Sequence, residues 1–112
     1  MKIPKSIISI EELQAIIKNN MAVLVYFSTT SCNVGEALAP KVFNLVQTYF
    51  PKVIIVTVDL NYSPNIAAIY SAYIEPTILV FFDGKETIRK SRNIGLNELH
   101  DAIKRPYTLI FE

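Results

Sequence analysis

The 112-residue sequence has one cysteine, no long apolar run and no block of charge of one sign, and each absence excludes a class of protein. A single cysteine, Cys32, excludes an internal disulfide and any exchange reaction that needs two cysteines of the same chain. The 11 Lys and Arg and the 10 Asp and Glu are interleaved, so nucleic acid is not an expected partner. The apolar stretches are far shorter than the ~20 residues that span a bilayer, and we expect no transmembrane segment.

The N-terminus, Met1 to Lys5, lacks the apolar core and small-residue cleavage site of a secretory signal. We therefore expect a cytoplasmic protein. With 51% hydrophobic and 19% charged residues, the composition is that of a packed globular chain. The length fits one domain over residues 1–112 with a single core.

Hydrophobic patterning predicts alternating helices and strands. The predicted elements are a helix over 10–19, a strand over 22–27, a helix over 36–50, a strand over 53–58, a short helix from Pro64, a strand over 78–82, a strand over 87–93 and a helix over 96–104. Ser9 and Glu12 fit a capping box, Ser63 fits a helix cap, and Pro40 should kink the second helix or begin its regular part. Pro106 is expected to end the last helix, which leaves residues 107–112 as an extended tail.

Two sequence features determine the predicted topology. Strands joined by helices are parallel and connected by right-handed crossovers. Asp83-Gly84, between two strand-like runs, is a strong signal for an antiparallel hairpin. The predicted fold is therefore of the α/β class, with a mixed sheet of four or five strands, flanking helices, and a C-terminal hairpin and helix.

This order of elements resembles the thioredoxin family from about Ile7 to Arg105. The pieces that carry the resemblance occur in the family's order. They are the strand 23–27, Cys32 at the position of the attacking cysteine, Pro40 in the following helix, Val58-Asp59, Pro76-Thr77 at the cis-proline position, Asp83-Gly84-Lys85, and Gly95 before the last helix.

The resemblance implies a thioredoxin fold and a site for thiol–disulfide exchange. Cys32 would be the catalytic nucleophile, and protein or peptide thiols and disulfides, with glutathione as an alternative, would be the partners. The loop and the cis-proline segment would bind the partner as an added strand. The implied substrate-binding residues are Asn33, Val34, Gly35, Ile74, Glu75, Pro76 and Thr77. No cofactor is implied.

The departures from the family pattern are concentrated at this site. Gly35 stands where the resolving cysteine belongs, and Tyr26 replaces the buried acid that assists proton transfer. Ser28 and Ser31 replace the two flanking tryptophans, and Glu75 replaces an apolar residue before the cis-proline. We interpret Tyr26 as a buried side chain that fills the space of the lost acid.

Two interpretations of Cys32 follow. The start of a helix stabilises a thiolate, which favours monothiol exchange resolved by glutathione or a partner thiol. Glu36 and Glu75 would bring negative charge close to the sulfur and oppose its reactivity, which leaves a peptide-binding module without catalysis. A monothiol glutaredoxin is a weaker alternative, since its Cys-Gly-Phe-Ser loop differs from residues 32–35 at every position after the cysteine.

The remaining candidates have mainly structural interpretations. His100 is expected to be a solvated helix residue remote from Cys32, and no set of four ligands for a structural zinc ion can be assembled. Tyr62, Tyr70 and Tyr73 form an aromatic group for which packing is favoured over partner binding. The 107–112 tail would either dock on its own domain or pair with a sheet edge in a homodimer.

Overall fold

The computed structural model describes residues 3–29 and 33–112, with the side chains of residues 3–29 and 37–112. Five strands and four helices alternate along this part of the chain. In order they are β1 (Lys5–Ile7), α1 (Ile10–Asn19), β2 (Ala22–Ser28), α2 (Asn33–Tyr49), β3 (Ile54–Asp59), α3 (Pro64–Tyr70), β4 (Thr77–Phe82), β5 (Lys85–Ser91) and α4 (Leu96–Phe111).

The strands form one mixed sheet in the order β1-β3-β2-β4-β5. β1, β3 and β2 are parallel, while β4 is antiparallel to both β2 and β5. The predicted mixed sheet is therefore confirmed, with five strands. β1 was not among the predicted elements, because three residues are too few to show a periodic pattern and the strand is defined by its pairing with β3.

Alternate residues of the central strand β2 enter two separate hydrophobic cores, because successive side chains of a strand point to opposite faces. Leu24 and Tyr26 face α2 and α4, whereas Val25 and Phe27 face α1 and α3. Residues 22–27 are all buried, as expected for a strand covered on both sides. The helices thus hold β2 from both faces of the sheet.

Helix α2 begins at Asn33, three residues earlier than predicted, and Pro40 lies inside it. A proline within a helix removes one backbone hydrogen bond, and the packing of Val42, Phe43 and Val46 against the sheet offsets that loss. The helix therefore starts directly after Cys32. No helix in the described part of the chain is long and apolar enough to cross a bilayer.

The predicted helix starts and hairpin are found at the expected residues. The Ser9 hydroxyl accepts a hydrogen bond from the N–H of Glu12, while Ser63 occupies the cap position of α3 without such a bond. Asp83 and Gly84 both have positive φ, which is the backbone of a two-residue hairpin turn. The hairpin between β4 and β5 is therefore confirmed.

The prediction of an extended C-terminal tail is wrong, because α4 continues through Pro106 to Phe111. Tyr107 is buried, its ring centroid lies 5.1 Å from that of Phe50, and its hydroxyl accepts a hydrogen bond from the N–H of Lys52. Phe111 stacks on Tyr107 at 4.7 Å. These contacts offset the helix-breaking tendency of proline, and they dock the last turns on their own domain instead of leaving a strand for a dimer partner.

Candidate functional site

Four chain segments meet where β2, β3 and β5 end and β4 begins. The register pairs Ser28 with Asp59, Phe27 with Thr77, and Thr77 with Ser91. We call this the strand-end edge. Ligands of open α/β sheets bind outside the carboxyl ends of the parallel strands, and here those are the ends of β1, β2 and β3.

Cys32, the predicted catalytic residue, lies outside the described residues. The backbone of Asn33, Val34 and Gly35 forms the first turn of α2, which starts from the strand-end edge. The sequence predicted this helix from residue 36, so the structure moves its start three residues toward Cys32. The three predicted binding residues of the loop therefore belong to a helix N-terminus.

The cis-proline segment, Ile74–Thr77, occupies the centre of the strand-end edge. The peptide bond between Glu75 and Pro76 is cis, Pro76 and Thr77 are buried, and the Thr77 hydroxyl donates to the carbonyl of Ile74. Ile74 is exposed. Neither the N–H nor the C=O of Glu75 hydrogen-bonds to another backbone group in the described part of the chain. An extended peptide could bind to these two groups, as expected for an added strand.

The Glu75 side chain links the cis-proline segment to the loop after β2. Its Oε2 accepts a hydrogen bond of 2.9 Å from the backbone N–H of Thr29. Its Oε1 is buried and has no hydrogen-bond partner among the described residues. The carboxylate thus points toward the β2 side of the segment, where the loop that carries Cys32 begins.

Arg89 on β5 binds the end of α3, which precedes the cis-proline segment in the chain. Its guanidinium donates to the carbonyls of Tyr70 at 2.7 Å and Ser71 at 3.0 Å, the last residues of α3 and its cap. Glu86 accepts two hydrogen bonds from the same group and raises the pKa of Arg89. Ser71 has the left-handed backbone of a helix cap, from which the chain turns toward Ile74.

Arg92 lies on the β5 side of the cis-proline segment, and the sequence analysis did not select it. Its backbone N–H donates to the carbonyl of Pro76 at 3.0 Å, and its φ of 63° is in the left-handed region. Its side chain is exposed and lines a shallow cavity of about 440 Å³. We call this cavity the Arg92 groove; its lining residues are Leu38, Arg92, Asn93, Ile94 and Gly95. Sequence patterning placed Arg92 inside a strand and cannot reveal a positive φ.

Tyr26 is fully buried, as predicted, and its ring packs edge-on against Phe43 with 5.5 Å between centroids. It pairs in register with Thr57 of β3. A cavity of about 350 Å³ opens beside it under the Pro40 turn of α2, with Ser28 and Asp59 at its rim. A phenol keeps its proton at neutral pH, so Tyr26 supplies no carboxylate base at this position.

The other sequence candidates divide between the core and the surface. The Tyr70 ring contacts Phe27 and Phe81, and burial raises the pKa of its hydroxyl, whereas Tyr62 and Tyr73 are exposed. The prediction that His100 is solvated is wrong: it is half-buried, because its ring lies 5.2 Å from those of both Tyr49 and Phe50. Within residues 3–29 and 33–112 no cluster of metal-ligating side chains occurs.

A mixed sheet with a buried central strand, a helix starting at its end and a cis-proline beside that start defines a protein of the thioredoxin fold. The structure superposes with a TM-score of 0.81 on oxidised mitochondrial thioredoxin 3 of Saccharomyces cerevisiae, at 26% identity over 90% of this chain and 93% of that one. A thioredoxin of Fasciola hepatica gives 0.79 at 29% identity, over 90% and 97% of the two chains.

The chain belongs to the thioredoxin family, whose family model matches residues 5–105. It is 29% identical over 104 residues to the thioredoxin-like protein YdfQ of Bacillus subtilis, covering 93% of this chain and 89% of that protein. A thioredoxin of Chlamydia trachomatis serovar D is 35% identical over 82 residues, covering 73% and 76% of the two proteins. Membership of this family is consistent with a thiol–disulfide redox function.

Proposed function

We propose that the protein exchanges thiols and disulfides through Cys32 alone, with protein or peptide partners in the cytoplasm. The observation that supports this is the position of the only cysteine in the chain. Cys32 directly precedes Asn33, the first residue of the 17-residue helix α2. Amides at a helix start favour a thiolate by about 0.3–1 kcal/mol.

The proposed reaction has two exchange steps. The Cys32 thiol loses its proton to solvent, and the thiolate attacks one sulfur of a partner disulfide. A mixed disulfide forms between Cys32 and that sulfur, while the other partner sulfur leaves as a thiolate and takes up a proton. A second thiol, from glutathione or a protein, then attacks the mixed disulfide and releases Cys32, because the chain has no resolving cysteine of its own.

Two features of the strand-end edge support slow exchange compared with a dithiol thioredoxin. Tyr26 provides no carboxylate to accept the thiol proton. The Glu75 carboxylate binds the N–H of Thr29, and the three residues of chain from there to Cys32 span at most ~11 Å. Within that reach, a carboxylate about 4–6 Å from the thiol opposes thiolate formation.

The direct test is to incubate the protein with oxidised glutathione or a peptide disulfide and to measure its mass. We expect one adduct per chain, which an added thiol removes, and none in Cys32→Ser. Alkylation rates against pH then report thiol reactivity. An apparent pKa of Cys32 below about 7.5 supports the exchange reaction, and a value at or above about 8.5, that of a free cysteine, argues against it.

A second variant tests the position of the missing cysteine. We expect Gly35→Cys to form an internal disulfide with Cys32 and to reduce protein disulfides without an added thiol, which the wild type should fail to do. Rapid reduction of such a substrate by the wild-type chain alone would contradict the monothiol mechanism.

A peptide-binding module without catalysis is the second candidate. It is supported by exposed Ile74 and by the backbone groups of Glu75, which lack backbone partners among the described residues. Disulfide trapping compared between wild type and Cys32→Ser separates the two candidates. Identical partner sets from both proteins would favour the binding module.

A further inference from the structure

The backbone of Arg92 marks the β5 side of the cis-proline segment as unusual. A residue with a side chain at a φ of 63° is at a conformational disadvantage that glycine would avoid. The hydrogen bond from its N–H to the Pro76 carbonyl holds it there. The backbone conformation does not favour arginine at this position. The presence of an arginine side chain here therefore has to be explained by what that side chain contacts.

The Arg92 guanidinium carries a positive charge that no described acid neutralises. No ion pair or side-chain hydrogen bond joins it to another described residue. Two carboxylates nearby in the fold are occupied, since Glu98 pairs with Lys90 at 3.0 Å and Glu75 accepts from Thr29 on the β2 side. Strand β4 lies between β2 and β5. The Glu75 carboxylate is on the β2 side of the cis-proline segment, and Arg92 is on the β5 side.

The Arg92 groove offers both apolar and charged contact. Leu38 from α2 and Ile94 from the loop after β5 contribute its apolar walls. The groove is linked to the cis-proline segment through Arg92, whose backbone N–H donates to the Pro76 carbonyl. A ligand that fills it needs an apolar group and an anionic group within a few residues of each other.

We propose that Arg92 determines partner specificity, by binding an acidic side chain of an extended peptide whose neighbouring apolar residue fills the Arg92 groove. This rests on the proposed function, because the peptide is the partner presented to the cis-proline segment. An arginine pairs with a carboxylate through parallel N–H···O bonds, which also orients the peptide. The partner is a polypeptide, and glutathione as the source of the carboxylate is an alternative that the test separates.

The test uses eight-residue, cysteine-free peptides that differ only in one central residue, Glu, Gln or Lys, flanked by Leu. Their binding to full-length Cys32→Ser is measured by fluorescence anisotropy. We expect the Glu peptide to bind about fivefold more tightly than the Gln peptide, the size of a good exposed ion pair, and the advantage to fall with added salt.

Further variants of the Cys32→Ser protein test whether Arg92 causes the preference for the Glu peptide. Arg92→Gln and Arg92→Gly should both abolish the preference for Glu, Arg92→Glu should reverse it toward Lys, and Arg105→Gln, an exposed arginine on α4, should leave it unchanged. No preference for Glu in the parent, or the same preference in Arg92→Gln, overturns the proposal. The proposal is also overturned if glutathione displaces the peptide and Arg92→Gln no longer binds glutathione. Glutathione, and not a polypeptide, is then the ligand of Arg92.

Because these measurements need no cysteine, their failure is distinct from failure of the exchange reaction. A kinetic arm uses the reactive chain with two small disulfides, the dianionic bis(nitrobenzoate) and the neutral dipyridyl compound. Arg92→Gln should slow only the anionic one, by about fivefold. Equal slowing of both would indicate a structural role for Arg92 and overturn the specificity assignment.

Discussion

The interior of the sheet and the strand-end edge are built from different kinds of residue. In the interior, Leu24, Val25 and Leu79 are fully buried and apolar, and both faces of the sheet are covered by helices. At the edge lie Arg92, with a left-handed backbone, and a carboxylate oxygen of Glu75 that has no hydrogen-bond partner among the described residues.

Packing explains why the two regions differ. A core side chain is constrained by neighbours on all sides, so the interior keeps the thioredoxin pattern at 26% identity to solved relatives. A loop at the end of a strand has solvent on one side, and its residues can change with little effect on the fold. The variants below should therefore change stability most in the interior, and at the edge should change it less and, for Glu75, change the reactivity of Cys32 as well.

The largest effect is expected from Tyr107→Ala in the interior. Removing a buried aromatic ring and the acceptor for the Lys52 N–H should lower the free energy of unfolding by about 3–5 kcal/mol, measured by urea unfolding. Leu109→Ala, on an exposed position of the same helix, should cost less than about 0.5 kcal/mol. Equal losses would mean that the end of α4 does not dock on the core.

A smaller effect is expected from Glu75 at the edge. Glu75→Leu removes the acceptor for the Thr29 N–H and should cost about 1–2 kcal/mol of unfolding free energy. Glu75→Gln keeps an acceptor and should cost less. Both variants should speed alkylation of Cys32 at neutral pH, because each removes a negative charge that we expect to act on the thiol. Unchanged alkylation in both would show that this charge does not act on Cys32.

The smallest effect, of opposite sign, is expected from Arg92→Gly. Glycine adopts the left-handed backbone without penalty, so the free energy of unfolding should rise by up to about 1 kcal/mol. Asn93→Gly is the matched control, since its φ is not positive, and it should not stabilise the protein. A loss of stability in Arg92→Gly would mean that the arginine side chain contributes to folding and would weaken the contrast between interior and edge.

The sequence was most informative where a pattern is local. The continuous apolar run of β2, the Asp83-Gly84 turn and the Ser9 cap are each decided within a few residues, and the structure agrees with all three. Helix α4 is the counterexample. Pro106 is a strong local signal for a helix end, and contacts of Tyr107 with Phe50 and Lys52, residues far from it in sequence, outweigh that signal.

The candidate site divides in the same way. Residues 33–35 and 74–77 were selected by resemblance. The backbone of 33–35 forms the first turn of α2, where the sequence predicted a loop, and residues 74–77 lead into β4. Arg92 was missed because it becomes a site residue only through its bond to Pro76 across the β4–β5 pair. The Glu75 contact with Thr29 depends on an equally distant pairing.

The sequence by itself determined that the protein has a single thiol, that it lacks a resolving cysteine, and that its strands and helices follow the thioredoxin order, because these depend on residue identity and local pattern. Only the tertiary structure decided which charges flank the cis-proline segment and where the last helix ends. Those outcomes depend on contacts between residues separated by many positions in the chain. A local sequence pattern cannot predict the free energy of such contacts.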